Sequence, residues 1–234
     1  MDLIIQTLPL LWRGLQATFQ LALVTLALVT VLSFVFGILA VSQHRWVRWI
    51  SVVYVEVFRG VPLIVNLLFT YFGAPLIGLS LDPFTSAVVS LTTWGTANGS
   101  EIVRGGFAAI PRHQAESARA LAMRPWETMV FILLPQILLP ILPSFTGLFS
   151  ILIQATSLAS LVGAMEFLRS SQIVVERTTM MTGESPAFLI FGFVLLVYFV
   201  ICFSLNCLTA WLERRLGAGR TRRTHAALEA AETA

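Results

Sequence analysis

The sequence predicts an all-α integral membrane protein of about five transmembrane helices, with one long helical loop on the cytoplasmic side. Of its 234 residues, 57% are hydrophobic and only 12% are charged, and the mean hydropathy is +0.84. A soluble domain of this size carries about 25% charged residues. Uncharged runs divide the chain into continuous apolar segments, and only helices and closed barrels satisfy backbone polar groups in lipid. Continuous rather than alternating apolarity favours helices over a barrel.

The uncharged runs place five spans along the chain, because a membrane-spanning helix needs about 20 predominantly apolar residues. We place these spans at about 15–41, 52–72, 84–102, 137–158 and 187–211. The first span is too long for the apolar region of a signal peptide, which has about 7–15 residues, and no basic segment precedes it. A buried helix of a soluble protein is the alternative for this span, which contains no charged residue.

Arginine sets the expected orientation, since all 15 basic residues are arginine. With five spans and the N-terminus outside, twelve arginines lie in cytoplasmic segments and three, Arg13, Arg169 and Arg177, lie outside. Cytoplasmic segments carry the excess of basic residues in membrane proteins, so we expect the C-terminus in the cytoplasm. The net charge of +3 therefore follows from topology and requires no nucleic-acid partner.

Several kinds of chemistry are missing from the sequence. Without a lysine, the chain has no P-loop lysine for a nucleotide and no Schiff base for a cofactor. Asp2 and Asp82 are the two aspartates and lie near expected outer ends of spans, so the buried acids of proton relays and membrane proteases are not expected. Cys202 and Cys207 share one span and are interpreted as small apolar residues, and the three scattered histidines form no ligand cluster. We therefore expect no catalytic residue and no metal site.

The cytoplasmic stretch between the third and fourth spans, residues 101–135, is long for a loop. Pro111 and Pro125 stand where helices can begin, because proline is favoured in a first turn. The segment between them is rich in helix formers and small residues, which predicts a slim helix that can enter a groove. Glu116 and Arg119 are three residues apart and can pair on its surface. From the pattern alone, an amphipathic helix resting on the membrane face is the alternative.

This stretch resembles the signature loop of binding-protein-dependent ABC importer permeases. That signature reads E-A-A, three residues, Gly, nine residues, Ile, any residue, Leu-Pro. In this chain the same spacing gives Glu116-Ser117-Ala118, Ala122, Ile132 and Leu134-Pro135. Serine replaces alanine at position 117, and alanine replaces glycine at position 122. If position 122 requires a positive φ, alanine strains it, so that either the local turn differs or this position is helical here.

The resemblance covers about residues 10–216 and points to the polar amino acid permease family of the histidine, glutamate, glutamine and arginine type. Further motifs carry it in order: Tyr54–Pro62 (YVEVFRGVP), Tyr71–Pro75 (YFGAP), Glu101–Pro111 (EIVRGGFAAIP), Thr156–Leu158 (TSL) and Leu212–Leu216 (LERRL). The family often carries a lysine and a small polar or acidic residue before Thr-Ser-Leu, whereas Gln154-Ala155 stand here. This loss of charge argues against carrying over any particular amino acid, and drift in a packed helix is an equal alternative.

The resemblance implies the type I ABC importer permease fold, with a permease domain over 1–216 and a disordered basic cytoplasmic tail over 217–234. It implies that the loop helix couples to two ATPase subunits, which bind ATP and Mg, so that this chain itself holds no cofactor. The residues expected to carry the coupling are Arg112, Glu116, Ser117, Ala118, Arg119, Ala122 and Arg124. The implied partners are a second permease, identical or related, and an extracytoplasmic solute-binding protein that meets residues 73–83 and 166–186. The implied location is the inner membrane of a bacterium.

Candidates for the solute pathway or for a gate are Glu56, Arg59, Asn66, Gln154, Thr156 and Ser157. Glu56 and Arg59 are three residues apart, as are Glu101 and Arg104. Such pairs form either interfacial ion pairs that anchor helix ends or a gate network that rearranges during transport. Asn66 lies within an uncharged run and either lines the path or makes a structural hydrogen bond between helices.

The predicted function is import of a polar amino acid or similar small solute by alternating access, driven by separate ATPase subunits. A passive channel or a membrane-embedded binding scaffold that uses no ATP is the alternative. This alternative predicts that transport or binding does not depend on residues 101–135. A membrane enzyme is less compatible with the sequence, because an acid–base constellation is missing.

Overall fold

The computed structural model describes the backbone of residues 2–232 and the side chains of residues 7–216. The regular structure of this described part is helical throughout, which confirms the predicted all-α fold. The elements in chain order are α1 (Asp2–Ala40), α2 (Arg45–Gly60), α3 (Leu63–Gly73), a 3-10 turn (Ala74–Ile77), α4 (Pro83–Ala108), α5 (Arg112–Ala120), the single turn α6 (Pro125–Glu127), a π-helical segment (Thr128–Leu133), α7 (Leu134–Ala155), a 3-10 segment (Thr156–Val162), α8 (Phe167–Thr182) and α9 (Ala187–Glu232). We call the end of the bundle that carries α5 the loop end, and the opposite end the far end.

Among the described residues, three helical stretches are long and apolar enough to cross a membrane: Thr7–Ala40, Pro125–Val162 and Ala187–Leu216. They contain most or all of the first, fourth and fifth predicted spans. The backbone of α9 continues as a helix to Glu232, whereas the sequence predicts a disordered tail from residue 217. The side chains of 217–234 lie outside the described residues, so the role of this tail stays a prediction.

The second predicted span, 52–72, is wrong as a single helix. α2 and α3 meet at a bend of 100°, and they are apolar enough to form one crossing only when taken together. At the break, Val61 and Pro62 have extended backbone, with ψ of 129° and 138°. Proline lacks an amide hydrogen and disfavours helical conformation in the residue before it. Val61-Pro62 therefore ends α2, and α3 begins after it in a new direction.

The third predicted span falls on α4, which has 26 residues but is not among the stretches apolar enough to cross a membrane. α4 lies at the centre of the bundle, against α1, α2, α3 and α7. Its buried face includes Ser90, Gly95 and Gly99. A Cβ atom on Gly95 would lie 2.7 Å from Cγ2 of Val29 in α1, so glycine permits the close approach of the two helices. Small residues are typical of helix contacts in membranes, and a helix enclosed by protein needs less apolar surface.

The predicted loop helix is present as α5, and Pro111 and Pro125 stand at the starts of α5 and α6 as expected. Between α6 and α7 the chain takes a π-helical register, in which the amide of Leu134 donates to the carbonyl oxygen of Met129. Pro135 follows and cannot donate the bond that a regular α-helix requires, which favours the wider turn. Such π-helical turns are uncommon and occur frequently at functional sites.

Candidate functional site

α5 presents most of the predicted coupling residues at the surface of the loop end. The exposed members are Arg112, Glu116, Ser117, Arg119, Ala122 and Arg124. The side chain of Ala118, by contrast, is only 3% exposed and faces its own chain, so its part in the coupling stays a prediction. Glu116 and Arg119 do not form the expected ion pair, since the described side chains make ion pairs only elsewhere. Both charges are therefore available to another molecule.

The end of α5 is closed by a hydrogen-bonded turn around Ala122. Ala122 has a φ of +55°, and no other non-glycine residue of the described chain has a positive φ. The amide of Met123 donates to the carbonyl of Ala118 at 3.1 Å, and the amide of Ala122 donates to the carbonyl of Arg119 at 2.9 Å. This pattern is the Schellman motif, in which glycine usually occupies the left-handed position. Position 122 therefore requires a positive φ, and alanine is strained there.

Two hydrogen bonds that were not predicted hold this loop, one to the bundle and one within the loop itself. Gln136 in α7 donates to the Oε1 atom of Gln114 in α5 at 3.4 Å. Glu127 accepts a 2.7 Å bond from the backbone amide of Arg124, which holds the start of α6. A glutamate three residues into a helix is half of a capping-box pattern and could have indicated the second bond. No local pattern marks two glutamines 22 residues apart.

Glu101 is the centre of a charged contact at the loop end. Arg104 donates from Nε and Nη2 to its carboxylate, at 2.9 Å each, and Nη1 of Arg59 lies 3.8 Å from Oε2. The expected pairing of Glu101 with Arg104 is thus present. Arg59, however, reaches Glu101 rather than Glu56, and no ion pair of Glu56 occurs among the described side chains. The contact joins the end of α2, just before the bend, to α4.

Asn66 is 7% exposed and joins α3 to α4. Its Nδ2 atom lies 3.3 Å from the carbonyl oxygen of Ser90 and 3.2 Å from the hydroxyl oxygen of Thr93, and it donates to both. The structure therefore contains the interhelical hydrogen bond that was one of the two expected roles. A role in the pathway stays a prediction.

The other three pathway candidates lie together at the far end, where α7 passes into the 3-10 segment. The Nε2 atom of Gln154 lies 3.7 Å from Sγ of Cys202 in α9. Thr156 is fully buried, and Ser157 donates to the carbonyl oxygen of Gln154 at 2.7 Å. The six candidates therefore fall in three separate places, and the two charged ones lie near the loop end.

A buried carboxyl at the far end is the main feature that the sequence analysis missed. Glu166 is 1% exposed and accepts hydrogen bonds from the amides of Leu168 at 2.8 Å and Arg169 at 2.7 Å, which cap α8. The hydroxyls of Thr18 in α1 and Tyr198 in α9 each lie 3.5 Å from its Oε2 atom. Glu166 lies outside the spanning helices, and burial, opposed by these hydrogen bonds, raises its pKa to about 7. The signal for this cap in the sequence was an acidic residue directly before a helix.

Comparisons with known proteins place this architecture in a family. Residues 31–218 match the family described as binding-protein-dependent transport system inner membrane component. The L-cystine transport system permease protein TcyB of Bacillus subtilis (strain 168) is 31% identical over 216 residues, which cover 92% of this chain and 90% of that protein. The inner membrane amino-acid ABC transporter permease protein YhdY of Escherichia coli (strain K12) is 31% identical over 90% of this chain, and the match spans 57% of its own length.

The fold itself is shared with a solved structure. A crystal structure of an amino acid ABC transporter with histidines superposes with a TM-score of 0.80 at 26% sequence identity, over 91% of this chain and 96% of that one. The family match covers most of the sequence, and its members are membrane components of transport systems rather than enzymes. The chain therefore belongs to the inner membrane components of binding-protein-dependent transport systems, the permease subunits of ABC importers.

Proposed function

We propose that this permease passes a polar amino acid or a similar small solute across the membrane by alternating access, driven by two separate ATPase subunits that bind ATP and Mg. The exposed surface of α5 at one end of the bundle carries this proposal. Relatives support the solute class, because TcyB is named for L-cystine and YhdY for amino acids. The solved structure with the same fold is that of an amino acid ABC transporter.

α5 is the element that would meet an ATPase subunit. Small side chains between Glu116 and Ala122 allow a close approach to a groove. Arg112, Arg119 and Arg124 are exposed and can make charge-assisted hydrogen bonds to acidic groups at its rim. The buried side chain of Ala118 packs against the rest of the chain. The opposite face of α5 is therefore free to contact a partner.

Movement of α5 can reach the membrane helices through its attachment to α7. Gln136 bonds α5 at Gln114, and the π-helical segment joins α6 directly to α7. α7 in turn packs against α4 and α9. When ATP closes the ATPase pair, α5 and α7 move together, and the bundle shifts between outward and inward access.

The proposed assembly places this permease beside a second permease, identical or related, in the inner membrane of a bacterium. The loop end and the basic tail over 217–234 face the cytoplasm, and the N-terminus lies outside, since this arrangement puts twelve of 15 arginines inside. Residues 73–83 and 166–186 then face an extracytoplasmic solute-binding protein. Exposed apolar side chains such as Phe69, 76% exposed, and Phe203, 57% exposed, are available to lipid or to the second permease.

The polar residues of the pathway are proposed to be Gln154, Thr156 and Ser157, together with Asn66. The hydrogen bond of Gln154 joins the end of α7 to α9. The hydrogen bond of Asn66 joins α3 to α4. Glu56 and Arg59 belong to the loop end. The contact of Arg59 with Glu101 in α4 favours the anchoring role over the gate for this arginine.

Disulfide cross-linking tests the proposed docking of α5. In a variant with Cys202→Ala and Cys207→Ala, Ser117→Cys should cross-link to a cysteine placed in the groove of the ATPase subunit, because Ser117 is exposed. Ala118→Cys is the matched control, since this neighbouring side chain faces the permease and should not cross-link. Equal yields at both positions would contradict the proposed docking, and ATP-independent solute flux in the unsubstituted complex would favour a passive channel.

A further inference from the structure

Three buried polar side chains and one half-buried tyrosine, from four parts of the chain, meet at the far end. We call Thr18, Thr156, Glu166 and Tyr198 the Glu166 cluster. The hydroxyl oxygen of Tyr198 lies 3.5 Å from Oε2 of Glu166 and 3.5 Å from Oγ1 of Thr156. The hydroxyl of Thr18 lies 3.5 Å from the same Oε2 atom and accepts a 3.0 Å bond from the amide of Phe167. The cluster thus joins α1, the 3-10 segment after α7, the start of α8, and α9.

Capping of α8 alone does not account for the burial of Glu166. Asp82 caps α4 in the same way, with bonds from the amides of Phe84 at 3.0 Å and Thr85 at 3.2 Å, and it does so from an exposed position. Glu166 makes equivalent bonds while only 1% exposed. Burial of a carboxyl is unfavourable unless hydrogen bonds compensate it. What distinguishes Glu166 from the exposed cap is its contact with α1 and α9.

The Tyr198 hydroxyl connects the cluster with the proposed solute pathway. Thr156, which it contacts, directly precedes Ser157. Cys202, four residues after Tyr198 and therefore on the same face of α9, contacts Gln154 at 3.7 Å. One face of α9 therefore contacts Gln154 and Thr156 through two neighbouring side chains. A shift of Tyr198 would move this segment.

α1 is held against the cluster at close range. A Cβ atom on Gly14 would lie 2.9 Å from the carbonyl oxygen of Glu166 and 2.8 Å from Cβ of Ser170 in α8. Thr18, four residues further along α1, supplies the hydroxyl that bonds the start of α8. The far ends of α1 and α8 are thus fixed to each other, and Tyr198 adds α9 to this unit.

We propose that Glu166 is a positioning residue for transport, which acts through the Tyr198 hydroxyl to fix Thr156 and the pathway segment 154–157 against the joined far ends of α1, α8 and α9. This inference rests on the proposed function, because it requires segment 154–157 to line the path. Segment 154–157 would form a wall of the path. Its position would be set by Glu166 and Tyr198, which lie outside the path. Loss of the link would leave the bundle folded and the pathway segment poorly placed.

The test compares Tyr198→Phe with Thr209→Val in the full complex of permease, ATPase subunits and solute-binding protein in proteoliposomes. Tyr198→Phe removes the linking hydroxyl. Thr209→Val removes another buried interhelical bond from the same helix, the 2.8 Å contact of Thr209 with Thr146 in α7. The measured quantity is uptake of a radiolabelled L-amino-acid mixture per ATP hydrolysed, beside the melting temperature of each complex.

Both substitutions are expected to lower the melting temperature, but only Tyr198→Phe should lower uptake per ATP, by about fivefold or more. In a Glu166→Gln background, Tyr198→Phe should change uptake less than twofold, because the link is already altered. Equal coupling in Tyr198→Phe and Thr209→Val, or full additivity with Glu166→Gln, would overturn the positioning role. Absence of ATP-dependent uptake in the unsubstituted complex would instead contradict the proposed function.

Discussion

The backbone amide of Met123 donates a 3.1 Å hydrogen bond to the carbonyl oxygen of Ala118, and this bond closes the end of the helix that is proposed to meet the ATPase. Ala122 lies between them at a φ of +55°. A left-handed backbone costs a non-glycine residue about 1–2 kcal/mol. The turn and the buried side chain of Ala118 hold Ala122 in this conformation. The helix therefore ends at the same place in the signature as it would with glycine.

Replacement of Ala122 with glycine is expected to stabilise this turn by about 1 kcal/mol, because glycine adopts a positive φ without a Cβ clash. Hydrogen–deuterium exchange at the amide of Met123 should slow about fivefold, since exchange reports the free energy of local opening. Ala120→Gly, in the last turn of α5, is the control and should speed exchange, because glycine within a helix costs about 0.5–1 kcal/mol relative to alanine. Faster exchange in both variants would exclude the left-handed turn.

Gly14 is expected to be intolerant of a side chain. Alanine at this position would place Cβ 2.8 Å from Cβ of Ser170 and 2.9 Å from the carbonyl oxygen of Glu166. We expect Gly14→Ala to lower the free energy of unfolding by about 1–3 kcal/mol, as overpacking does. Gly105 in α4 is the matched control, since an added Cβ would meet no atom within 4 Å. Denaturant titration of the two solubilised variants measures the difference, and similar midpoints would contradict the close approach of α1 to α8.

The burial of Glu166 predicts a stability that falls as the pH rises. Its pKa is about 7 in the folded chain against an ordinary value of 4.5, so the folded chain binds this proton more tightly than the unfolded chain. The resulting stabilisation, on the order of 3 kcal/mol, is complete below the ordinary value and is lost as the pH rises through about 7. Melting temperatures across this pH window should therefore fall more in the unsubstituted protein than in Glu166→Gln. Parallel pH profiles would contradict a raised pKa.

Much of the loop end could be predicted from the sequence because its signals are local. Pro111 and Pro125 mark the starts of two helices, and the spacing from Glu116 to Pro135 identifies the signature. Whether Ala122 is helical or left-handed could not be decided from the sequence, because this depends on hydrogen bonds around the turn. The burial of Ala118 also could not be predicted, because it depends on how α5 packs on the rest of the chain, where the π-helical segment contacts it.

The far end and the second span were less predictable for physical reasons. Apolar residues continue across Val61 and Pro62, so hydropathy joins α2 and α3, although the proline was a visible signal of a break. The contact of Glu166 with Thr18 and Tyr198 joins side chains 148 and 32 residues away along the chain. Such a contact follows from the packing of helices rather than from spacing.

Charge reversal at Glu116 tests whether α5 couples this permease to its ATPase subunits. Glu116 is exposed, and Glu184 is an exposed glutamate near the far end that provides a control with the same change of charge. The measurement is the amount of ATPase subunit that copurifies with the membrane-inserted permease, together with ATP-dependent amino acid uptake.

We expect Glu116→Arg to lower copurification and uptake about tenfold or more, since unpaired charge at a docked interface costs about 2–5 kcal/mol, while Glu184→Arg retains copurification. Unchanged association and uptake in Glu116→Arg would contradict the coupling role and leave α5 as a helix on the membrane surface.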